Sequence, residues 1–301
     1  MISSKSSRLY KRLMRLRPII CGLNRKLSRL QLNVVGAFSS RALRKCVVFT
    51  PEPFALFKAE WASPAGNPRK GVILYLHGGG YMMGSMTYAR AFGGLLSDRV
   101  KRTSLCIAYR LAPEHPFPAA LDDAAEAYLR LRERYPDQPV ALVGESAGGG
   151  LCFALACRLR ELRMSLPDCI VALSPWTDLT GSGASCQTQA AHDPCLSPKL
   201  LRRAARWYAG DDIAHPLASP LFADLSDMPP AQIYVGTREM LLDDAVRMAE
   251  RYRQAGSSCE LHVARDMWHV YPLYATPESE EALGGVDAFL NAHLSPEDKL
   301  D

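Results

Sequence analysis

Ser146 stands among small residues in Gly144-Glu145-Ser146-Ala147-Gly148-Gly149, directly after the apolar run Val140–Gly144 and before a segment with helical patterning. A sharp turn between a buried strand and a helix forces the serine backbone into strain and lifts its hydroxyl out of the sheet edge. The helix behind it offers free N–H groups and a positive dipole end. In that context a G-x-S-x-G serine is a nucleophile. The pattern alone has little weight, because about one protein in ten of this length carries it by chance. The bland alternative is a glycine turn that packs tightly or holds a phosphate, and the absence of G-x-x-x-x-G-K-[ST] argues against a P-loop.

A nucleophile attacking a carbonyl needs donors for the oxygen that becomes negative. The run Val72–His77 (VILYLH) ends in His77-Gly78-Gly79-Gly80-Tyr81. Successive glycines let a backbone turn its N–H groups toward a ligand without Cβ obstruction. Gly79 and Gly80 are the expected donors, joined by the N–H of Ala147, with Gly78 supporting the turn. A turn serving chain reversal alone is the competing reading. His77 reads as a structural hydrogen-bonding residue, because it precedes the nucleophile.

The serine also needs a base, and the base an acid, and in this arrangement they follow in the order Ser, acid, His. Of the seven histidines only His262, His269 and His293 lie beyond the last credible acid loop. His262 falls within a strand pattern and His293 near the end of a terminal helix. His269, in the loop Asp266-Met267-Trp268-His269 just past the run Glu260–Ala264, is the expected base. For the acid, Glu239 sits in the loop after Gln232–Gly236. Asp243 is the second candidate, although a carboxylate in the first turn of a helix has a structural reading through the dipole. The acid fixes the imidazole tautomer and stabilises the imidazolium.

These loops require a frame. Apolar runs predict strands at Cys46–Thr50, Phe54–Ala62, Val72–His77, Ser104–Ala108, Val140–Gly144, Cys169–Leu173, Gln232–Gly236 and Glu260–Ala264. Helical spacing predicts Ala119–Tyr135, Ala147–Met164, Leu241–Ala255 and Glu278–His293. Strands separated by helices imply an α/β protein with a mainly parallel sheet covered on both faces, whose functional groups collect at the carboxyl ends of strands. Two regions break the rhythm and are expected to form a cap: residues 1–45, and the stretch from about 176 to 219, with one helix around Lys199–Tyr208. Residues 46–301 are expected to be the catalytic domain.

Together these motifs resemble the bacterial hormone-sensitive-lipase-like esterases. The resemblance rests on His77-Gly78-Gly79-Gly80, Tyr109-Arg110-Leu111-Ala112-Pro113-Glu114, Gly144-Glu145-Ser146-Ala147-Gly148-Gly149 and the Glu239 and His269 loops, which occur in the family's order. It covers most of the chain from about residue 46. It implies the α/β-hydrolase fold with an eight-stranded, mostly parallel sheet, an N-terminal helical cap, and hydrolysis of short- to medium-chain acyl esters without metal or cofactor. Many members have Asp where this chain has Glu239, a departure that bears on the acid. The resemblance also makes Tyr109–Glu114 and Asp122–Asp123 structural, and gives Asp193-Pro194 to the wall of the acyl or alcohol pocket. Tyr81, Met82, Glu145, Trp176, Trp207 and Trp268 are the further pocket candidates. An amidase or lactonase using the same site is the alternative within enzymes, and a small-molecule receptor lacking catalysis is the alternative outside them.

Composition suits a globular chain of 301 residues, 48% hydrophobic and 22% charged, without an apolar run long enough to span a bilayer. Pro18 to Leu23 is too short for the apolar core of a signal peptide. Nine cysteines without CxxC or CxxH spacing are expected to be reduced thiols, and the chain cytoplasmic. The net charge of +5 is uneven: residues 1–45 hold twelve of the 36 Lys and Arg and none of the 31 Asp and Glu. Leu9, Leu13 and Leu16, then Leu23, Leu27 and Leu30, recur at helical spacing, with Pro18 expected to break the helix between them. The expectation is two amphipathic helices packed on the body, with Arg and Lys in water. Weak attraction to an anionic membrane is the sharper reading of this head, and hydrolysis secondary to surface binding its extreme form. Nucleic acid is not expected, because no aromatic interleaving accompanies the charge. The expected partner is a small-molecule ester, and a homodimer is left open.

Overall fold

The computed structural model describes residues 2–22, 25–43 and 45–295, apart from the side chains of residues 38 and 42. Two helices, α1 (Ser4–Gly22) and α2 (Arg25–Leu43), precede the sheet. After the hairpin β1 (Val47–Pro53) and β2 (Lys58–Pro64), strands and helices alternate: β3 (Val72–Leu76), α3 (Met86–Val100), β4 (Thr103–Ala108), α4 (Ala119–Arg134), β5 (Val140–Glu145), α5 (Ala147–Glu161) and β6 (Cys169–Leu173). The connection to β7 (Ala231–Gly236) holds α6 (Ser185–Thr188) and α7 (Pro198–Ala209) and no strand. Then α8 (Leu242–Gln254), β8 (Cys259–Ala264) and α9 (Pro277–Leu294) follow.

The eight strands form one sheet in the order β1-β2-β4-β3-β5-β6-β7-β8. β2 is antiparallel to both β1 and β4, and all remaining pairs are parallel. Every residue of β3, β5, β6 and β7 is buried, as strands covered on both faces must be. Side chains alternate between two cores. Val72, Leu74 and Leu76 enter one, and Ile73 and Tyr75 the other.

The strand order explains why the predicted loops meet. The chain leaves β3 to build β4 on one side, then returns across β3 to build β5 on the other, so order reverses at the β3–β5 pair, where open α/β sheets place their ligands. Leu76 lies opposite Gly144, which sets the glycine turn beside the serine. Gly236 lies opposite Ala264, which sets the Glu239 and His269 loops side by side.

Four expectations change. Met86–Val100 is a helix that the sequence reading omits. β2 starts at Lys58, not Phe54, because Phe54 to Phe57 make the hairpin turn. Pro18 lies inside α1 and does not break it. The helix is held on both sides of the proline: Arg17 donates to the Asp193 carbonyl at 2.7 Å and the Ala190 carbonyl at 2.5 Å, and the Cys21 thiol lies 3.7 Å from the Cys195 carbonyl. Finally, Leu9 and Leu13 pack against the body, but Leu16, Leu27 and Leu30 are exposed, and Leu23 falls outside the described residues. α2 instead turns Ser28, Gly36 and Ser40 inward. A Cβ on Gly36 would sit 2.7 Å from the Thr87 carbonyl oxygen, so only a bare backbone permits this approach to α3.

Candidate active site

Ser146 joins β5 to α5 at φ 55° and ψ −121°, a conformation that non-glycine residues rarely adopt. Its N–H donates to the Leu173 carbonyl at 2.9 Å, and its carbonyl accepts from Trp176 N–H at 2.9 Å, so the end of β6 and the loop just past it fix both sides of the strained turn. Gly148 passes directly beneath β3. A Cβ there would lie 2.0 Å from the Leu76 carbonyl oxygen, which is why the motif needs glycine at this position.

From Ser146 a hydrogen-bonded chain runs inward. The hydroxyl lies 3.0 Å from His269 Nε2, and His269 Nδ1 lies 2.8 Å from Glu239 Oε2. With Nδ1–H directed at the carboxylate, Nε2 is the atom left to accept from the serine. Glu239 is wholly buried, and its other oxygen accepts from Ser174 Oγ at 2.8 Å and Gly236 N–H at 2.6 Å. Ser174 Oγ in turn accepts from Val270 N–H at 2.9 Å, tying the histidine loop to the end of β6. Ser174 is a site residue that sequence reasoning missed. Its only signal is its place just beyond a buried strand. Burial pulls the His269 pKa down, but the Glu239 hydrogen bond and the charges of Glu239, Asp193 and Glu145 outweigh it, and the group ends above 6.5.

Asp243, the competing acid, is engaged elsewhere, accepting from Ser185 N–H at 2.8 Å. His262 lies within β8, stacked on Tyr234 at 4.5 Å, and His293 rests against Phe289.

The glycine turn lies beside the serine. Gly79 and Gly80 both have positive φ, 114° and 60°. The Gly79 carbonyl accepts from Met83 N–H at 2.9 Å, which closes the turn. Gly78 N–H donates to Glu145 Oε1 at 2.6 Å, so it supports the turn and is not turned to a ligand. His77 stacks on Tyr109 at 4.2 Å, and burial lowers its pKa to about 4, leaving it neutral. The Tyr109 hydroxyl donates to the His77 carbonyl at 2.6 Å. Arg110 pairs with buried Asp123 at 2.6 Å, while Asp122 is exposed and shares none of that bracing.

Several pocket candidates turn out to be supports. Glu145 is buried beneath the glycine turn, with Tyr75 OH at 3.2 Å. Burial raises its carboxyl to about 7, against the lowering effects of Gly78 N–H and the His269 charge. Asp193 is not a wall residue. Its buried carboxylate accepts from the N–H groups of Cys195, Leu196 and Met240 at 2.8–2.9 Å. Trp268 belongs to the second core, edge-on to Tyr274 at 5.5 Å, and Met82 is buried in the first. Tyr81 stacks on Tyr208 at 3.7 Å. Trp176 remains beside Gly80, where a Cβ would lie 3.9 Å from its ring. Trp207 is half-buried between Arg25 and Arg203. Ser146 and His269 are only 7% and 5% exposed, so the chemistry is enclosed.

Comparison with known proteins agrees with this architecture. Residues 73–273 match a family model described as the alpha/beta hydrolase fold. An acetyl-hydrolase from Streptomyces hygroscopicus is 41% identical over 236 residues, covering 77% of this chain and 79% of its own. An esterase from Acinetobacter venetianus is 33% identical, covering 72% and 74%. The crystal structure of an esterase from the bacterial hormone-sensitive lipase family superposes with a TM-score of 0.90 at 34% identity, over 98% of this chain and 100% of that one. EstE5 soaked with p-nitrophenyl butyrate gives 0.90 at 34%, over 97% and 99%. No described helix is long and apolar enough to cross a membrane. The chain belongs to the bacterial hormone-sensitive-lipase-like family of carboxylic-ester hydrolases on the α/β-hydrolase fold.

Proposed function

We propose that Ser146 is the nucleophile, His269 the base and Glu239 the acid in hydrolysis of short- to medium-chain acyl esters, with the N–H groups of Gly79, Gly80 and Ala147 as oxyanion donors. The unbroken hydrogen-bonded path from Ser146 through His269 to Glu239, at 3.0 and 2.8 Å, carries the reading. Ser146 Oγ attacks the ester carbonyl carbon as its proton passes to His269 Nε2, and the carbonyl π pair moves onto oxygen. The tetrahedral intermediate collapses, its bond to the alcohol oxygen breaks, and that oxygen takes the proton from Nε2. Water then gives a proton to Nε2 as its oxygen attacks the acyl-serine carbon, the second tetrahedral intermediate collapses with its bond to Ser146 Oγ breaking, Oγ takes the proton back from Nε2, and the acid departs. The acyl-length range is supported by the relative named acetyl-hydrolase and by the butyrate ester soaked into EstE5.

The helices α1 and α2 and the connection 176–219 form the cap in this reading, supported by the grip of Arg17 on the 190–196 loop and of Arg29 on the Met82 carbonyl at 2.8 Å. Nine free cysteines favour a reducing cytoplasm. β8 has an open edge that would seat a second copy in a homodimer, which the hydrodynamic mass tests. The weak membrane attraction of the head is supported by its charge.

Replacing Ser146 with Ala should lower turnover by ~10⁴–10⁶ on a panel of p-nitrophenyl esters of graded acyl length, and should abolish labelling by an organophosphonate. Activity near wild type in that variant, or labelling at another residue, would remove the assignment.

A further inference from the structure

A helix lying on a protein body normally turns its apolar stripe inward. α2 departs from this over most of its length. Its buried residues are Ser28, Gly36 and Ser40, with Leu43 packed on the core only at its last turn, while Leu30 and Val34 on the opposite face are 57% and 61% exposed. Near the end of α1, Leu16 and Ile19 are likewise exposed, Ile19 to 61%. The two helices are separated only by residues 23 and 24, so these side chains flank one junction.

The charges follow the same division. Arg17, Arg25 and Arg29 turn inward, Arg17 to the 190–196 loop and the other two to Glu114. Arg8, Lys11, Arg12, Arg15, Lys26 and Arg41 are exposed, and residues 1–45 contain no acid to neutralise them. Apolar side chains among cations, on helices whose other faces are already fixed, match what an anionic bilayer surface binds: acyl chains for the apolar residues and headgroup charge for the bases. Nucleic acid would engage the cations and leave Leu30, Val34 and Ile19 in water.

We infer that the outer faces of α1 and α2 form a peripheral docking surface for anionic phospholipid bilayers. The inner faces of these helices hold the 190–196 loop and the Met82 turn, so a bilayer on the outer faces lies over the region enclosing Ser146. An ester dissolved in the membrane is thereby presented on the side of the molecule where the site lies. This inference stands apart from the hydrolytic reading, since adsorption needs no turnover.

The test is sedimentation of the full chain with vesicles of phosphatidylcholine alone, and with vesicles roughly a third phosphatidylglycerol. Wild type and Ser146→Ala should both partition into the anionic vesicles, at least ~10-fold above the neutral ones, and release as salt rises from about 0.1 to 0.5 M. Leu30→Glu with Val34→Glu, and separately Arg12→Glu with Arg15→Glu, should each lower the bound fraction ~10-fold. Thermal melts and hydrolysis of a water-soluble short ester should stay at wild-type values. Equal partitioning of wild type into the two vesicle types, or folded variants that partition unchanged, would overturn the inference. So would a Leu30/Val34 variant that dissociates a wild-type dimer while neither protein binds vesicles, since the face would then seat a second copy of the chain.

Discussion

Glu145 and Gly78 are held together at 2.6 Å, the carboxylate of the residue before the serine accepting the first N–H of the glycine turn. One short segment therefore positions both the hydroxyl and the strand end that leads to the proposed oxyanion donors. The same carboxylate faces His269 closely enough for its charge to raise the imidazole pKa. Glu145→Gln keeps an oxygen for Gly78 N–H but removes the charge. Imidazolium is then less stabilised, the base stays neutral to lower pH, and the acid limb of kcat/KM should move down. Glu145→Ala should also free the turn and lower kcat by ~10²–10³, the loss expected when an oxyanion donor is misplaced. Measured pH–rate profiles decide this, and a limb that stays in place in the Gln variant removes Glu145 from the electrostatics of the site.

The two acidic candidates after β7 separate by what each holds. Glu239 binds the imidazole, whereas Asp243 binds the turn at Ser185. Glu239→Gln should lower kcat by ~10³–10⁴ through the wrong tautomer. Asp243→Asn should leave kcat within about threefold and cost about 1 kcal/mol of stability through the weakened turn. A larger catalytic loss in the Asp243 variant would exchange the assignments.

The closeness of α2 and α3 depends on one absent side chain. In Gly36→Ala the new methyl would meet the Thr87 and Tyr88 backbone at 2.7–2.8 Å, and backbone cannot swing aside as a side chain can. The helix must shift outward, a cost of about 1–3 kcal/mol. Thermal denaturation should show the loss, with faster proteolysis between residues 23 and 46. An unchanged melting temperature would mean that α2 lies on the body more loosely than its inner face indicates.

What the sequence revealed was local, and what it concealed was tertiary. The sheet, Ser146, His269 and the glycine turn were legible because buried strands read as continuous apolar runs and each motif sits at a strand end. α3 was not legible because it carries Gly93 and Gly94 in mid-helix, which read as a breaker. They are required by what lies across from them: a Cβ on Gly93 would meet the Cys106 sulfur at 2.2 Å, and one on Gly94 the Phe49 ring at 2.8 Å. Pro18 misled for a similar reason, since the contacts that hold α1 on both sides of it come from residues more than 170 positions away. Glu145 reads as a pocket residue because its motif holds the serine, and Asp193 because the family resemblance gives it to the pocket wall. Only the fold shows their carboxylates spent on backbone N–H groups.

Asp193 links α1 to the catalytic loop, and two substitutions separate its two effects. Its carboxylate accepts from Cys195 and Leu196 on one side and from Met240, next to Glu239, on the other, while Arg17 holds its carbonyl. The Asp193 charge also raises the His269 pKa. Asp193→Asn places an NH₂ against an N–H it cannot accept, which should cost about 1–3 kcal/mol. Removing the anion destabilises imidazolium, so the acid limb of kcat/KM should shift to lower pH as well. Arg17→Ala cuts the grip of α1 and leaves the carboxylate in place. The melting temperature should fall by a few degrees, at about 2–4 °C for each kcal/mol in a chain of this size, while the limb stays where it is. If the arginine variant moved the limb as far as the asparagine variant does, the head would be acting on the imidazole and not merely holding the loop that surrounds it.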